Sequence, residues 1–180
     1  DMDIAELSKI LRENGVVGAG GAGFPTYGKL SESADTIIMN CAECEPLLTL
    51  HRQLLKVHAR EILKAFSLIA DTLGARPVIG IKDEYRSTIE ALETYKDEFS
   101  DMRIHRLPGA YPMGDEVVLI YEATGRVVPP GGLPIACGVA VFNVETLYNV
   151  YNAVYEKRPV TDKYVTITGE VKHPLTVHVP

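Results

Sequence analysis

The sequence has no tryptophan, only three cysteines and an excess of acidic side chains, with 18 lysines and arginines against 24 aspartates and glutamates. The net charge of −6 gives the chain no general attraction for nucleic-acid phosphates, so we predict no nucleic-acid partner. No apolar run approaches the roughly 20 residues that a membrane-spanning helix needs. The first residues alternate charged and apolar side chains and lack the apolar core of a signal peptide, which indicates a cytoplasmic location.

Cysteine is too scarce for a disulfide framework or a metal site. An odd total of three argues against a secreted, disulfide-stabilised protein. Cys41 and Cys44 form a C-x-x-C pair, but only Cys137 remains, whereas zinc takes four ligands and iron–sulfur clusters usually take four thiolates. We therefore predict that no metal binds within this chain and that its thiols are buried or half-buried.

The sequence does contain a regular alternation of helix and strand patterns. Short apolar runs predict buried strands, and apolar residues at helical spacing predict amphipathic helices between them. The predicted strands cover 36–40, 77–81, 103–107 and 139–142, and the predicted helices cover 3–12, 57–73, 86–99, 115–123 and 143–157. This order is typical of an α/β fold in three layers, with a mainly parallel sheet between helices.

The pattern changes after Pro159. Residues 163–171 alternate apolar and polar side chains, and a second short run follows at 176–179. Two such runs separated by a turn predict a β-hairpin. We divide the chain into an α/β domain at 1–160 and the start of a β-rich unit at 161–180.

Residues 18–23 match the dinucleotide motif G-x-G-x-x-G, but their surroundings argue against that motif. The dinucleotide fingerprint lies between a strand and a helix. Here a predicted helix precedes the glycines, and Phe24 and Pro25 follow them. Backbone without side chains can still approach a phosphate or a flat ring closely, and Lys29 adds a positive charge. We predict a ligand-binding loop, with a flexible surface loop as the alternative.

Polar residues stand where predicted strands end and helices begin. Glu43 and Glu45 follow the strand at 36–40, at the sheet edge where α/β proteins bind ligands. Their alternate spacing puts both carboxylates on one side if the segment is extended, and the alternative is a solvated turn. The segment 114–116 and Asn143 each precede a predicted helix, where the alternative role is a simple cap.

Taken together, four segments resemble the NADH-oxidising subunit of respiratory complex I, in the same order. Residues 18–26, followed by Lys29, resemble its glycine-rich flavin loop. Residues 40–46, 114–116 and 142–146 resemble its acidic, Gly-Glu-Glu and Asn-Asn-Val-Glu-Thr segments. We therefore identify the chain as a relative of this flavin-binding family.

Two details make the chain most similar to the Rnf complex C subunit and its relatives. These details are the Ala-Glu-Cys-Glu-Pro sequence at 42–46 and the proline- and glycine-rich run at 125–134. The relatives include the cobalamin reductase of propanediol-using microcompartments and the electron-transfer protein associated with proline reductase. The resemblance covers residues 14–155.

This resemblance implies an FMN site and an NADH site. NADH would stack over the flavin, in contact with Phe24, Lys29 and Glu45, and would transfer a hydride to it. No residue of the chain is expected to act as a catalyst in its own right. The flavin would be lined by glycines, polar side chains and one lysine, namely Gly18, Gly20, Gly21, Lys29, Asn40, Glu43, Gly114, Glu116, Asn143 and Thr146.

The resemblance also implies the surroundings of such a module. Electrons would leave singly to 4Fe-4S clusters outside this chain segment, and residues 161–180 would begin a ligand-binding β-grasp domain. The partners would be other subunits of an electron-transfer complex or a downstream reductase. The protein would then lie in the cytoplasm or peripherally at the inner face of the membrane, and the chain would be a partial one.

Two positions depart from the complex I pattern. Ala42 stands where complex I has an aspartate that contacts the flavin, and Phe142 replaces the first Asn of its pair. Two other functions therefore stay open. One is a scaffold or ligand-binding module that has kept the fold and lost the flavin, and the other is a corrin or selenoprotein reductase that uses the same flavin site.

Overall fold

Helices and strands alternate along the chain as the sequence predicts. The computed structural model describes residues 2–19, 23–42, 49–99, 101–110 and 112–180. Two short 3-10 turns, Thr26–Lys29 and Pro134–Cys137, precede β1 and β4. The helices and strands of the described residues are α1 (Ile4–Glu13), β1 (Thr36–Asn40), α2 (Leu50–Leu73), β2 (Arg76–Lys82), α3 (Arg86–Lys96), β3 (Arg103–Leu107), α4 (Glu116–Thr124), β4 (Val139–Asn143), α5 (Val144–Tyr155), β5 (Lys163–Ile167) and β6 (Leu175–Val179).

A central sheet carries the fold. Within the described residues it has four strands in the order β3-β2-β1-β4, and each neighbouring pair is parallel. This confirms the predicted α/β fold, because parallel neighbours need helical crossovers. In this register Asn40, the last residue of β1, lies opposite Asn143, the last residue of β4. The loops that follow the two strands therefore start side by side at one edge of the sheet.

Helices cover both faces of the sheet, which confirms the three predicted layers. Ile37 and Met39 of β1 enter a core with side chains of α1, α2, α3 and α5, whereas Ile38 enters a second core with side chains of α4. The approach of α4 is close because β2 has Gly80 beneath it. A Cβ atom at Gly80 would lie only 2.6 Å from Leu119 Cδ1.

Several helix ends follow capping residues that the sequence shows. Asp3 caps α1 by accepting a hydrogen bond from Glu6 N at 2.8 Å. Asp115 caps α4 by accepting from two amides of its first turn. Gly74 and Gly125 end α2 and α4 in the left-handed conformation, which glycine adopts without a Cβ clash.

Two predicted helix boundaries are wrong. The second helix begins at Leu50 rather than at residue 57, because Leu54 and Leu55 are buried and extend the helix beyond a kink at His58. The third helix ends at Lys96 rather than at residue 99. The chain leaves it through a turn in which Phe99 N donates to Lys96 O.

The C-terminal segment forms the predicted β-hairpin, although its first strand ends at Ile167 rather than at residue 171. β5 and β6 pair antiparallel, Thr166 and Thr176 share a hydroxyl–hydroxyl hydrogen bond of 2.9 Å, and the Tyr164 ring stacks on His178. Its apolar side chains are less covered than those of the central sheet, since Ile167 is 44% exposed whereas Ile37 is fully buried. Among the described residues, every helix is too short or too polar to cross a bilayer.

Candidate functional site

Asn40 joins the end of β1 to two neighbouring loops. Its side-chain Nδ2 donates to the carbonyl oxygen of Gly114 at 3.0 Å, and its Oδ1 accepts from the backbone N–H of Ala42 at 3.0 Å. Gly114 directly precedes the cap of α4, and Ala42 is the second residue after β1. A single amide side chain therefore sets the position of both loops at this edge of the sheet.

The start of α5 is fixed to the glycine-rich loop. Asn143 caps the helix, because its Oδ1 accepts from Thr146 N at 2.7 Å. The Thr146 hydroxyl in turn accepts from the backbone N–H of Ala19 at 3.0 Å, across 127 positions of sequence. Since the start of a helix carries partial positive charge, this junction suits an anionic ligand group.

Lys29 places a positive charge next to the same edge. Its ammonium donates to the carbonyl oxygen of Val141 at 2.6 Å and lies 5.7 Å from the centroid of the Phe142 ring. Burial lowers the pKa of Lys29, and the negative charge of Glu116 opposes part of that shift. The two predicted site residues Lys29 and Glu116 therefore interact electrostatically, although they lie far apart in the sequence.

The described residues on either side of positions 20–22 pair with each other, and the glycine-rich loop follows a helix rather than a strand. Gly18 N donates to Phe24 O at 2.7 Å, and Val17 forms an isolated antiparallel bridge with Pro25. The turn that follows leads into β1, so the rejection of the dinucleotide motif is confirmed. The Phe24 ring lies against Gly28, where a Cβ atom would be only 3.0 Å from a ring carbon, and the ring stays 43% exposed.

Seven of the predicted flavin and NADH residues lie in the described part of the chain at this edge or on the loop attached to it. They are Gly18, Phe24, Lys29, Asn40, Gly114, Asn143 and Thr146, and Glu116 joins them through the charge interaction with Lys29. Gly20, Gly21, Glu43 and Glu45 lie outside the described residues.

The cysteines differ in their surroundings. Cys41 is buried at the end of β1, Cys137 is half-buried and its thiol contacts Pro134 O at 3.1 Å, and Cys44 lies outside the described residues. Among the His, Cys, Asp and Glu side chains that the structure describes, no group of three or more is arranged to hold a metal ion.

Three features of this edge are absent from the sequence-based site. The Ala19 amide and the Val141 carbonyl take part through their backbone, which no residue pattern reveals. The sequence presents Glu145 as part of a possible cap and of the segment that resembles complex I, with no role of its own, yet its side chain is buried in the first turn of α5. That an acidic side chain is buried among apolar residues is seen in the structure and cannot be recognised from the composition of the sequence.

The donor groups at this edge fit FMN, whose phosphate is anionic and whose ring is flat. The Lys29 ammonium and the start of α5 supply positive charge, and Gly18 has no side chain to block the loop. A Cβ atom at Gly18 would already lie 3.3 Å from Phe24 O. Thr26 Oγ1, at the start of the turn that carries Lys29, is buried and lacks a hydrogen-bond partner among the described residues. Polar groups of this kind suit a ligand with many acceptors.

Residues 11–152 match the family described as the Nuo51 FMN-binding domain. The chain is 42% identical over 179 residues to the cobalamin reductase PduS of Citrobacter freundii, covering 99% of this chain and 39% of that protein. It is 35% identical over 185 residues to the C subunit of the Na(+)-translocating ferredoxin:NAD(+) oxidoreductase complex of Acetobacterium woodii, covering 99% of this chain and 42% of that protein.

A solved structure is similar over nearly the whole chain. It is the crystal structure of an NAD+-reducing [NiFe]-hydrogenase in the H2-reduced state, with a TM-score of 0.83 and 26% sequence identity, covering 99% of this chain and 37% of that one. The chain therefore spans about two fifths of the length of each of these relatives.

Proposed function

Because the chain belongs to the family of Nuo51 FMN-binding domains, we propose that it binds FMN at the carboxyl edge of its sheet and that NADH transfers a hydride to the bound FMN. The observation that carries the proposal is the convergence of four distant segments. Asn40 contacts Gly114, Thr146 contacts Ala19, and Asn40 lies opposite Asn143 in the neighbouring strand. These contacts bring together the same four segments in which the sequence resembles a flavoprotein.

The FMN contacts we propose are those expected from the sequence. The backbone of the glycine-rich loop at Gly18, Gly20 and Gly21 would approach the flavin, and Lys29 would supply a charge. Each charged hydrogen bond of this kind contributes about 1.5–3 kcal/mol. The other proposed contacts come from the strand ends and helix starts, namely Asn40, Glu43, Gly114, Glu116, Asn143 and Thr146.

NADH is the proposed hydride donor. Two of the similar proteins have names that include NAD+ as a substrate, the Acetobacterium woodii complex and the hydrogenase. In this chain the exposed Phe24 ring offers a flat apolar surface for a planar ring of the dinucleotide. Lys29 and Glu45 would complete the proposed NADH contacts.

FMN, when bound, supplies the chemistry of accepting a hydride and releasing electrons singly. The chain's own residues bind and orient. Asn40 and Thr146 hold the loops around the site. The partly buried ammonium of Lys29 would neutralise negative charge on the bound FMN. Holding two rings in a reactive arrangement is a contribution that positioning alone makes to the rate.

The wider protein is proposed to be an electron-transfer oxidoreductase. Its 4Fe-4S clusters would lie outside this chain segment, and residues 161–180 would begin a β-grasp domain after an FMN domain at 1–160. The antiparallel pairing of β5 with β6 is compatible with such a start. Other subunits of an electron-transfer complex, or a downstream reductase, would receive the electrons.

A second candidate function is corrin reduction from the same flavin site. It is favoured by the 42% identity to a protein named as a cobalamin reductase. A third, a flavin-free scaffold, is favoured by Ala42, which is buried and has its amide bonded to Asn40 where the resemblance expects an aspartate. The scaffold differs from the other two in requiring no flavin.

The test begins with FMN binding and its anaerobic reduction. The chain is mixed with FMN, freed of unbound flavin by gel filtration, and its absorbance is recorded before and after NADH is added without oxygen. Retained flavin bands that bleach with NADH support the proposal. No retained flavin, in this chain and in the full-length protein alike, supports the scaffold and contradicts the proposal. Faster reduction of hydroxocobalamin than of other one-electron acceptors by the full-length protein supports the corrin reductase.

A further inference from the structure

The first turn of α5 makes contacts in two directions. Asn143 caps it, and Thr146 holds the Ala19 amide of the glycine-rich loop. Glu145 lies between these two residues and is turned the other way. Its Oε1 accepts a hydrogen bond of 3.1 Å from the backbone N–H of Tyr164, the second residue of β5.

Glu145 is unusual for an acidic side chain, because it is only 4% exposed. A carboxylate is rarely buried unless a specific partner compensates for the loss of water. The partner here is a backbone amide nineteen residues downstream, so the contact specifies where the hairpin lies rather than how the helix is capped.

The hairpin is also joined to the α/β domain along the segment before it. Val160 N donates to the carbonyl oxygen of Asn14 at 2.9 Å, and the side chains of Val160 and Tyr164 pack on the core that contains α1 and α5. The hairpin therefore rests on the same two elements that flank the glycine-rich loop. A displacement of the hairpin would act on the first turn of α5 through Glu145.

We propose that Glu145 is a positioning residue that couples the placement of the β5–β6 hairpin to the shape of the FMN site. The coupling runs from Tyr164 N to Glu145, along one helical turn to Thr146, and through the Thr146 hydroxyl to Ala19. Any unit that continues from the hairpin could thereby influence the flavin. This inference rests on the proposed FMN site for its effect on flavin binding, but not for its effect on the protein backbone.

Two pairs of variants and one control variant test the coupling. Glu145→Ala removes the acceptor, and Glu145→Gln keeps an acceptor oxygen without the charge. Tyr164→Pro removes the N–H together with the ring, and Tyr164→Ala removes only the ring, so their difference reports on the N–H. Val150→Ala truncates a fully buried side chain further along α5 and, compared with the wild type, controls for a general loss of stability.

The first measurement needs no flavin. Amide hydrogen exchange at Ala19 reports whether its bond to Thr146 persists. We expect Glu145→Ala and Tyr164→Pro to accelerate it by about three- to tenfold, the factor that corresponds to one net hydrogen bond. Glu145→Gln, Tyr164→Ala and Val150→Ala should leave it near the wild-type rate. Unchanged exchange in both disrupting variants, or equal acceleration in Val150→Ala, would overturn the proposal.

The second measurement is the dissociation constant of FMN, at one fixed pH because Asp162, Lys163 and His178 also act on the Glu145 carboxylate. Glu145→Ala and Tyr164→Pro should weaken binding by a similar, about three- to tenfold factor, and the double variant should be no weaker than either. Additive losses, or a Glu145→Gln variant as weak as Glu145→Ala, would contradict coupling through this bond. If the wild type binds no FMN, the proposed function fails, while hydrogen exchange still decides the coupling.

Discussion

One cation contacts β4 and another contacts the turn before it, and the two cations differ in what surrounds them. Two residues before the carboxyl end of β4, the Lys29 ammonium donates to Val141 O at 2.6 Å. Before the amino end the Arg126 guanidinium donates to Cys137 O at 3.0 Å and to Asp35 at 2.7 Å. Arg126 is therefore neutralised by a carboxylate, whereas no carboxylate of the described residues forms an ion pair with Lys29 within 4.0 Å.

This difference indicates which end of the sheet is free to bind an anion. Arg126 and Asp35 satisfy each other and fasten the start of β4 to the start of β1, so their contribution is to stability. Lys29 is kept half-buried and its charge is offset in part by that of Glu116, while burial disfavours the ammonium in the absence of a ligand. A ligand anion would relieve that penalty. We therefore expect substitutions at the carboxyl edge to change ligand affinity, and those at the amino edge to change stability.

The largest expected effect is that of Lys29→Met on FMN affinity. The methionine keeps much of the apolar stem and removes the charge, so the dissociation constant should rise by about 10- to 150-fold, as expected for one charged hydrogen bond. Fluorescence quenching of FMN measures it. Arg126→Met removes a cation at the opposite edge and should leave the dissociation constant unchanged. Equal effects of the two substitutions would mean that net charge, rather than the site, determines affinity.

The alkaline pH dependence of FMN binding should reveal the same charge. Because burial lowers the pKa of Lys29 below 10.5, the free protein loses this proton earlier than an exposed lysine does. FMN affinity should therefore be constant near neutral pH and decrease as pH rises through the lowered pKa. In Lys29→Arg the guanidinium stays charged, and its affinity should not decrease over that range. A profile for the wild type as flat as that of Lys29→Arg would exclude a role for the lysine charge.

The sequence alone predicted the fold more completely than the site. Short apolar runs located the four strands that the described residues form in the central sheet, because such runs are local signals. The start of α2 was missed because Leu54 and Leu55 are buried by tertiary packing beyond the kink at His58. Which segments meet at the carboxyl edge followed from the resemblance. The bonds that hold them, such as Thr146 to Ala19, join positions 127 residues apart and depend on backbone atoms, which sequence patterns do not encode.

At the amino edge, Gly138→Ala should reduce the stability of the fold without changing the affinity for FMN. Gly138 has φ of +79°, and a Cβ atom there would lie 3.0 Å from Arg126 Nη1 and 3.3 Å from Asp35 Oδ2. The left-handed backbone alone disfavours alanine by about 1–2 kcal/mol in the free energy of unfolding. Gly131→Ala is the matched control, since Gly131 has a similar φ of +71° and no atom within 4 Å of an added Cβ. Denaturant unfolding should show a larger loss for Gly138→Ala, and equal losses would argue against the contact with the ion pair.

The smallest expected effect is that of Arg126→Met on stability. The ion pair is short, but the side chain of Arg126 is 33% exposed and that of Asp35 is 64% exposed, so water screens most of the attraction. Pairs of this kind contribute about 0–1 kcal/mol.

Bonding to Arg126 lowers the pKa of Asp35 below 3.8. The contribution is therefore fully present above pH 3.8, and it disappears as pH falls through the lowered pKa, because the carboxylate is then protonated. Unfolding free energies of wild type and variant, measured at neutral and acidic pH and at low and high salt, should differ only at neutral pH and chiefly at low salt. A difference that persists in acid would assign the effect to the Arg126–Cys137 bond instead. A loss of FMN affinity in this variant would remove the distinction between the two edges on which the proposed site depends.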